Sequence, residues 1–299
     1  MRYSVILKLL LAAWVCLVWH NTAWAAEKNV AKFDVGKVTV WAIADSVGER
    51  DMNVFPGADQ EAISRYVPSG KCPSAIMVFL IITESEKVLI DAGLGATSGE
   101  RASRLFDGLK EIGVGPEDIT LILLTHMHGD HIGGLVRNGE KAFPSARVLS
   151  SRIEHDFWLD EKSPERFPDR KAGFEMARNV LGLYGSASLT FEFDTVVTPG
   201  IRAVDISGHT PGHTAFLLES EEKKILFWGD LLHAAALQFP RPDINAQFDM
   251  DPDEAAATRK RFMEKTAVEK LPVAGAHLPF PGIGEVEKNE EGGYTYITY

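Results

Sequence analysis

Residues 125–134, THMHGDHIGG, constrain this chain more than any other stretch. Four potential metal ligands, His126, His128, Asp130 and His131, fall within six residues. The apolar run 121–124 comes just before them and Gly133-Gly134 just after. A short apolar run bounded in this way reads as a buried strand. The ligands then lie on the turn leaving it, where a rigid sheet can aim them at one point. Alternate side chains on a strand or tight turn share a side. His126, His128 and Asp130 therefore converge, and His131 reaches the same place from the next residue. Imidazole with carboxylate suits zinc or a related first-row divalent ion.

The flanking chain supplies the scaffold. Strands are expected over 37–44, where Val38, Val40, Trp41 and Ile43 alternate, and over 74–83, 87–90, 119–124 and 146–149. Further strands are expected over 201–206, 214–219, 224–228 and 271–275, with a last edge strand at 295–298. Helical spacing covers 100–112, 151–159 and 171–183. Asp251, with Glu254 three residues on, opens a helix running to about residue 268. The polar segment 45–69 reads as a long loop of the kind that is often functional. Met52, Val54 and Phe55 within it either form the tip of a flap over a site or pin the loop to the core. Two runs of strands interleaved with helices predict two sheets packed face to face with helices outside, in one α/β domain over residues 26–299.

Residues 1–25 read as a secretory signal peptide: Arg2 and Lys8, an apolar run over 9–19, and the A-x-A cleavage signal Ala23-Trp24-Ala25. A membrane span needs about 20 apolar residues, more than this run has. The expectation is therefore a periplasmic or secreted protein with no membrane anchor after cleavage. The formal net charge of −11 becomes more negative when Arg2 and Lys8 leave. Such a chain repels phosphate backbones, so nucleic acid is not an expected partner. Cys72 is then the only cysteine, and no internal disulfide forms. It is either a buried inert thiol or a link between two copies in a homodimer.

Three more candidate ligands follow apolar strands: His213, Asp230 and His277. With the first cluster they make five histidines and two aspartates. A catalytic zinc takes about three protein ligands. The set therefore suits two ions, with one carboxylate bridging.

At this point the sequence resembles a known family. THMHGDH, GHTPGHT, the FWGD strand end and AGAHLPFPGIG are similar to the metallo-β-lactamase-fold hydrolases, over nearly all of residues 26–299. EHDFWL, GDLLHAAALQF and AHLPFPGIG carry a likeness to the exported methyl parathion hydrolases and related lactonases. The resemblance implies an αββα sandwich of two mixed sheets and a centre holding two divalent metal ions, zinc foremost. It implies His126, His128 and His213 on one ion, Asp130, His131 and His277 on the other, and Asp230 between them. Subclasses of true lactamases lack the bridging aspartate, so Asp230 argues for the broader hydrolase branch. Two divalent ions make a shared water reactive near neutral pH, and no side-chain nucleophile is needed.

Asp91, in DAG, is the family acid near the site. It is expected to orient a ligand histidine, with strand-end capping as the plainer role. His233 either lines the pocket or protonates a leaving group. His209 reads as a structural residue. Trp158 matches a pocket-lining tryptophan of the likeness and Phe174 another aromatic, and both residues suit a core equally well. In one departure, the likeness has an aromatic shortly after DAG, and residues 94–99 have none. The expected substrate is thus a lactone or aryl ester, with phosphotriesters a side activity. A β-lactamase and a non-catalytic exported metal-binding protein are the alternatives.

Overall fold

The computed structural model describes residues 29–95 and 103–299, so the signal-peptide reading of residues 1–25 lies outside it. The first sheet has the order β1 (Val30–Val35), β2 (Val38–Asp51), β3 (Lys71–Ile82), β4 (Lys87–Ile90), β5 (Leu121–Leu123), β8 (Arg147–Ser151) and β9 (Ser188–Phe191). The second has the order β10 (Val196–Thr198), β11 (Ile201–Asp205), β12 (Thr214–Ser220), β13 (Lys223–Phe227), β14 (Val273–Ala274), β15 (Ile283–Lys288) and β16 (Tyr294–Thr298). A small hairpin, β6 (Val136–Arg137) and β7 (Glu140–Lys141), stands apart. Both sheets are mixed: β4, β5, β8 and β9 run parallel, as do β13 and β14, and the other pairings are antiparallel.

The side-chain period of a strand divides the core into layers. Along β3, Met77, Phe79 and Ile81 face the second sheet, where they meet Phe216, Phe227 and Ile283. Val78 and Leu80 face the other way, against Leu105 and Leu109 of α2 (Leu105–Ile112), with Ala177 and Leu181 of a later helix in the same layer. Behind the second sheet, Leu226, Trp228 and Val273 pack with Phe262 and Met263 of the long C-terminal helix. The result is helix, sheet, sheet, helix. The other helices are α1 (Gln60–Tyr66), α3 (Gly129–Ile132), α4 (Arg152–Leu159), α5 (Ser163–Arg166), α6 (Lys171–Tyr184), α7 (Ala235–Gln238) and α8 (Pro252–Glu269). Asp251 caps α8 by accepting from the Glu254 N–H, as its sequence predicts.

The segment 45–69 is not one long loop. β2 continues to Asp51 because residues 46–51 pair with Lys71–Ile76 of β3, after a register shift between Ala44 and Ser46. Met52–Val54 form a turn of 3₁₀ helix, and α1 follows, with Asp59 accepting from the Ala62 N–H. Gly48, Glu49, Arg50 and Asp51 leave this half of β2 without apolar alternation. Phe55 is not a flap tip over the site. It is buried with Met52, Ala62, Val67 and Cys72 against Leu237 and Ile244. That packing is the pinning role, and it also buries the Cys72 thiol.

Two outcomes follow. Phe55→Ala is expected to lower the unfolding free energy by about 3–5 kcal/mol, measured by denaturant titration, and an unchanged midpoint would contradict the packing role. Burial pushes the Cys72 thiol up to about 11, so the thiolate needed for reaction is scarce below that pH. A maleimide should leave Cys72 unmodified in the folded protein at pH 8 and modify it in denaturant, read by peptide mass. Rapid native labelling would place the thiol at the surface.

Candidate metal centre

Each chemically important loop leaves the same end of a strand. β4 delivers Asp91, β5 delivers Thr125–His131, β11 delivers His209, β13 delivers Asp230 and β14 delivers His277. Asp91 has a left-handed backbone, with φ of 62°, an uncommon geometry for a residue with a side chain and one that clusters at functional sites. Gly229, before Asp230, also has positive φ, and a Cβ there would come within 2.7 Å of His213 Nε2. Only glycine fits that step.

Potential ligand atoms converge in four overlapping groups, two of which include His233; the other two carry the HMHGDH ligands. His126, His128, His209 and Asp230 bring one donor atom each to within 4.8 Å of one another, and Asp130, His131 and His277 do the same. Asp230 joins the two. Its Oδ1 is 3.1 Å from His131 Nε2, and its Oδ2 is 3.1 Å from His277 Nε2 and 3.4 Å from His209 Nε2. His126 Nε2 and His209 Nε2 both approach His128 Nδ1, at 3.0 and 2.9 Å. Apart from Asp130, at 28% side-chain exposure, and the half-buried His128, these residues are shielded from solvent.

The outer partners of the imidazoles decide what the centre needs. His131 Nδ1 is 2.8 Å from Asp91 Oδ2. His209 Nδ1 is 2.9 Å from Asp249 Oδ1. His277 Nδ1 is 2.9 Å from the Ala75 carbonyl oxygen. Ionised carboxylates and carbonyls only accept, and a neutral imidazole carries one N–H. Once that proton serves the outer oxygen, Nε2 presents a lone pair to the Asp230 carboxylate. Each of the three rings is therefore one positive charge short. His131 Nε2 and Asp230 Oδ1 are buried, and neither makes a hydrogen bond of acceptable geometry. Buried acceptors facing each other are costly unless a cation lies between them. The donor set, imidazole with carboxylate, fits a first-row divalent ion at each group.

Electrostatics agree. Burial and neighbouring imidazoles hold His126 and His128 well below the usual histidine range. Burial also disfavours charge on His131 and His209, but surrounding carboxylates win. His131 is held well above its usual value by Asp230 and Asp91, and His209 is raised to about 9 by Asp230 and Asp249. Asp230 falls well below its usual value against its own burial, because His131, His277 and His126 surround it. The carboxylates draw positive charge onto the rings at the positions where the ligand atoms meet.

The family model described as the metallo-beta-lactamase superfamily matches residues 73–277. The chain belongs to this superfamily. Among curated proteins it is 23% identical over 235 residues to an N-acyl homoserine lactonase of Bacillus thuringiensis, covering 71% of this chain and 85% of that one. It is 31% identical over 175 residues to the hydroxyacylglutathione hydrolase GloC of Haemophilus influenzae, covering 54% and 69%. Among solved structures it superposes on AbOPH, described as a hydrolase in the beta lactamase superfamily, with a TM-score of 0.86 and 28% identity over 91% of this chain and 97% of that one. AidC, described as a dizinc quorum-quenching lactonase in complex with a product, gives 0.82 and 27% over the same shares.

The ligand atoms of six of the seven metal ligands expected from sequence, His126, His128, Asp130, His131, Asp230 and His277, fall in these groups. His213 is buried beside them, its ring 5.1 Å from that of His126 and its Nε2 accepting the backbone N–H of Asp230 at 3.1 Å. His209, expected to be structural, also reaches His128 and Asp230, so the turn GHTPGH brings two imidazoles to the cluster. Two histidines four apart in one loop cannot be ranked by spacing. His209 has an outer carboxylate, Asp249, forty residues further on, and nothing in its local sequence marks it. Asp91 has the expected orienting role, and it also accepts from the Thr125 N–H and hydroxyl, each at 2.8 Å.

Trp158 and Phe174 do not line an open pocket. Both are buried in the layer behind the first sheet with ring centroids 4.7 Å apart, and Trp158 backs His128 edge-on at 5.5 Å. They are large apolar side chains, and the core takes them. His233 stacks on His277 at 5.0 Å with its Nε2 3.1 Å from Asp230 Oδ2. Burial lowers its pKa to about 3. His233 thus lies inside the ligand cluster, with its ring against Asp230 and His277.

Asp249 is itself braced. Arg259 of α8 is fully buried and donates to Asp249 Oδ2 at 3.1 Å, to Leu231 O at 2.7 Å, and to Pro242 O and Ile244 O at 3.0 Å. Replacing the outer partner of a ligand histidine typically weakens metal binding about 10–100-fold. Asp249→Asn is expected to show such a loss when a chromophoric chelator competes for the ion, and wild-type affinity would remove Asp249 from the centre.

Proposed function

We propose that this chain is an exported dinuclear metallohydrolase that cleaves lactones or aryl esters. One observation carries the reading: the Asp230 carboxylate is shared between two buried ligand groups. In the first, His126, His128 and a histidine of the GHTPGH turn, His213 by the family resemblance, would hold one ion. In the second, Asp130, His131 and His277 would hold the other, and Asp230 would bridge. Zinc is the ion proposed, on the ligand chemistry and on the dizinc description of AidC. Bound there, a divalent pair supplies a water deprotonated near neutral pH and a Lewis acid for the electrophilic oxygen.

The residues of the chain do the remaining work. Asp91 fixes the His131 tautomer and ring direction, Asp249 fixes His209, and the Ala75 carbonyl fixes His277. Asp130, the most exposed of the carboxylates around the centre, is the group proposed to receive or return a proton during acyl transfer. Lactones lead the substrate list because N-acyl homoserine lactonases recur among the relatives. Phosphotriesters are a proposed side activity. Export is proposed on the leader-like residues 1–25 alone.

A panel of lactones, aryl esters, phosphotriesters and a β-lactam, run on metal-reconstituted protein, tests the reading. Turnover should be fastest on a lactone or aryl ester, should disappear with chelator, and should fall at least about 100-fold in His128→Ala. A chelator-resistant activity, or fastest turnover on the β-lactam, would overturn it.

A further inference from the structure

Glu154 is a carboxylate that the chemistry above does not use. It lies on the first turn of α4 and is fully buried. Its Oε1 accepts from the Met127 backbone N–H at 2.9 Å and from Trp158 Nε1 at 2.6 Å. Its Oε2 accepts from the Thr210 hydroxyl at 2.7 Å and from the Gly212 N–H at 3.0 Å. Four donors fill the lone-pair sites of both oxygens, which leaves no acceptor for a carboxyl proton. The group therefore sits there as an anion. Burial pushes its pKa up, and these hydrogen bonds oppose the rise.

The donors are what make the arrangement specific. Met127 lies between the ligands His126 and His128. Thr210 directly follows His209, and Gly212 closes the same turn. One side chain thus ties the loop leaving β5 to the loop leaving β11, across 27 residues on one side and 56 on the other. The backbones agree. Ser151, the N-cap of α4, accepts from the Glu154 N–H and donates to the Gly212 carbonyl at 2.8 Å. A Cβ at position 212 would come within 2.2 Å of Glu154 N, so glycine lets the turn lie on the helix start. His277 is held from another side, its Nδ1 2.9 Å from the Ala75 carbonyl oxygen of β3 and 3.4 Å from Arg50 Nη2 of β2.

We propose that Glu154 is the positioning residue of the three-histidine group, clasping its two ligand-bearing loops so that His126 and His128 meet the histidines of the GHTPGH turn before any cation arrives. Without the clasp, binding an ion must also bring the loops together, and that cost appears as lost affinity at one group only. The proposal rests on the two-ion reading of the centre.

The test separates the two groups by mutation. His277→Ala leaves the three-histidine group as the intact one, and His128→Ala leaves the other. Each is made metal-free and titrated with Co(II), with visible absorption recording affinity and ligand geometry. In the His277→Ala background, Glu154→Gln should weaken Co(II) binding about tenfold or more and shift the absorption bands. In the His128→Ala background it should change affinity by less than about threefold, as expected of independent sites. Thr210→Val removes one donor and leaves the carboxylate in place, so it decides the matter if Glu154→Gln fails to fold. Its loss should be smaller and confined to the same background. Equal losses in both backgrounds, or unchanged affinity and bands with only a lower melting temperature, would reduce Glu154 to a general structural role. Absence of Co(II) binding by the wild type would instead overturn the two-ion reading itself.

Discussion

Three buried imidazoles, those of His131, His209 and His277, have oxygen acceptors at both ring nitrogens, and the inner acceptor is always Asp230. Much else in the structure answers to that fact. A neutral imidazole satisfies one acceptor, so the cluster is short of positive charge in a place closed to water. Protons or metal cations can make up the deficit. Overlapping groups of donor atoms gathered around one carboxylate favour divalent ions over three isolated protons.

The fold makes this costly arrangement affordable to hold by dividing the work. Two sheets and their apolar interlayer fix the strand ends. Short loops then project ligands into one space at that end. A ring of partners outside the ligands sets each imidazole's direction: Asp91 from β4, the Ala75 carbonyl from β3, Asp249 braced by Arg259 of α8, and Glu154 from α4. These partners come from different elements, and a rigid frame is required for them to agree.

Much of this was legible in the sequence, for physical reasons that also mark where legibility ends. Buried strands such as β3, β5 and β13 announce themselves as apolar runs ending in ligand residues. β5 alone carries four of those residues in its exit turn, so His126, His128, Asp130 and His131 are read without the structure. Edge strands are weaker signals: β1, β9 and β10 are short or half exposed, and β15 is interrupted by charge. The second half of β2 looks like loop because Gly48, Glu49, Arg50 and Asp51 carry no apolar alternation. His209 reads as structural until the fold sets it against Asp230 and against Asp249, a residue forty positions away. Glu154, Asp249 and Arg259 look like ordinary charged surface residues until the fold buries them. Trp158, Phe174 and Phe55 suit a pocket and a core equally by composition, and packing gives them to the core.

The central claim is that two cations flank Asp230. Anomalous diffraction from crystals of the metal-reconstituted protein, collected on both sides of the metal's absorption edge, tests it most directly. The account predicts two peaks about 3.5–4 Å apart, one against His126, His128 and the GHTPGH turn and one against Asp130, His131 and His277, with Asp230 between them. A single peak, or peaks away from Asp230, would contradict it.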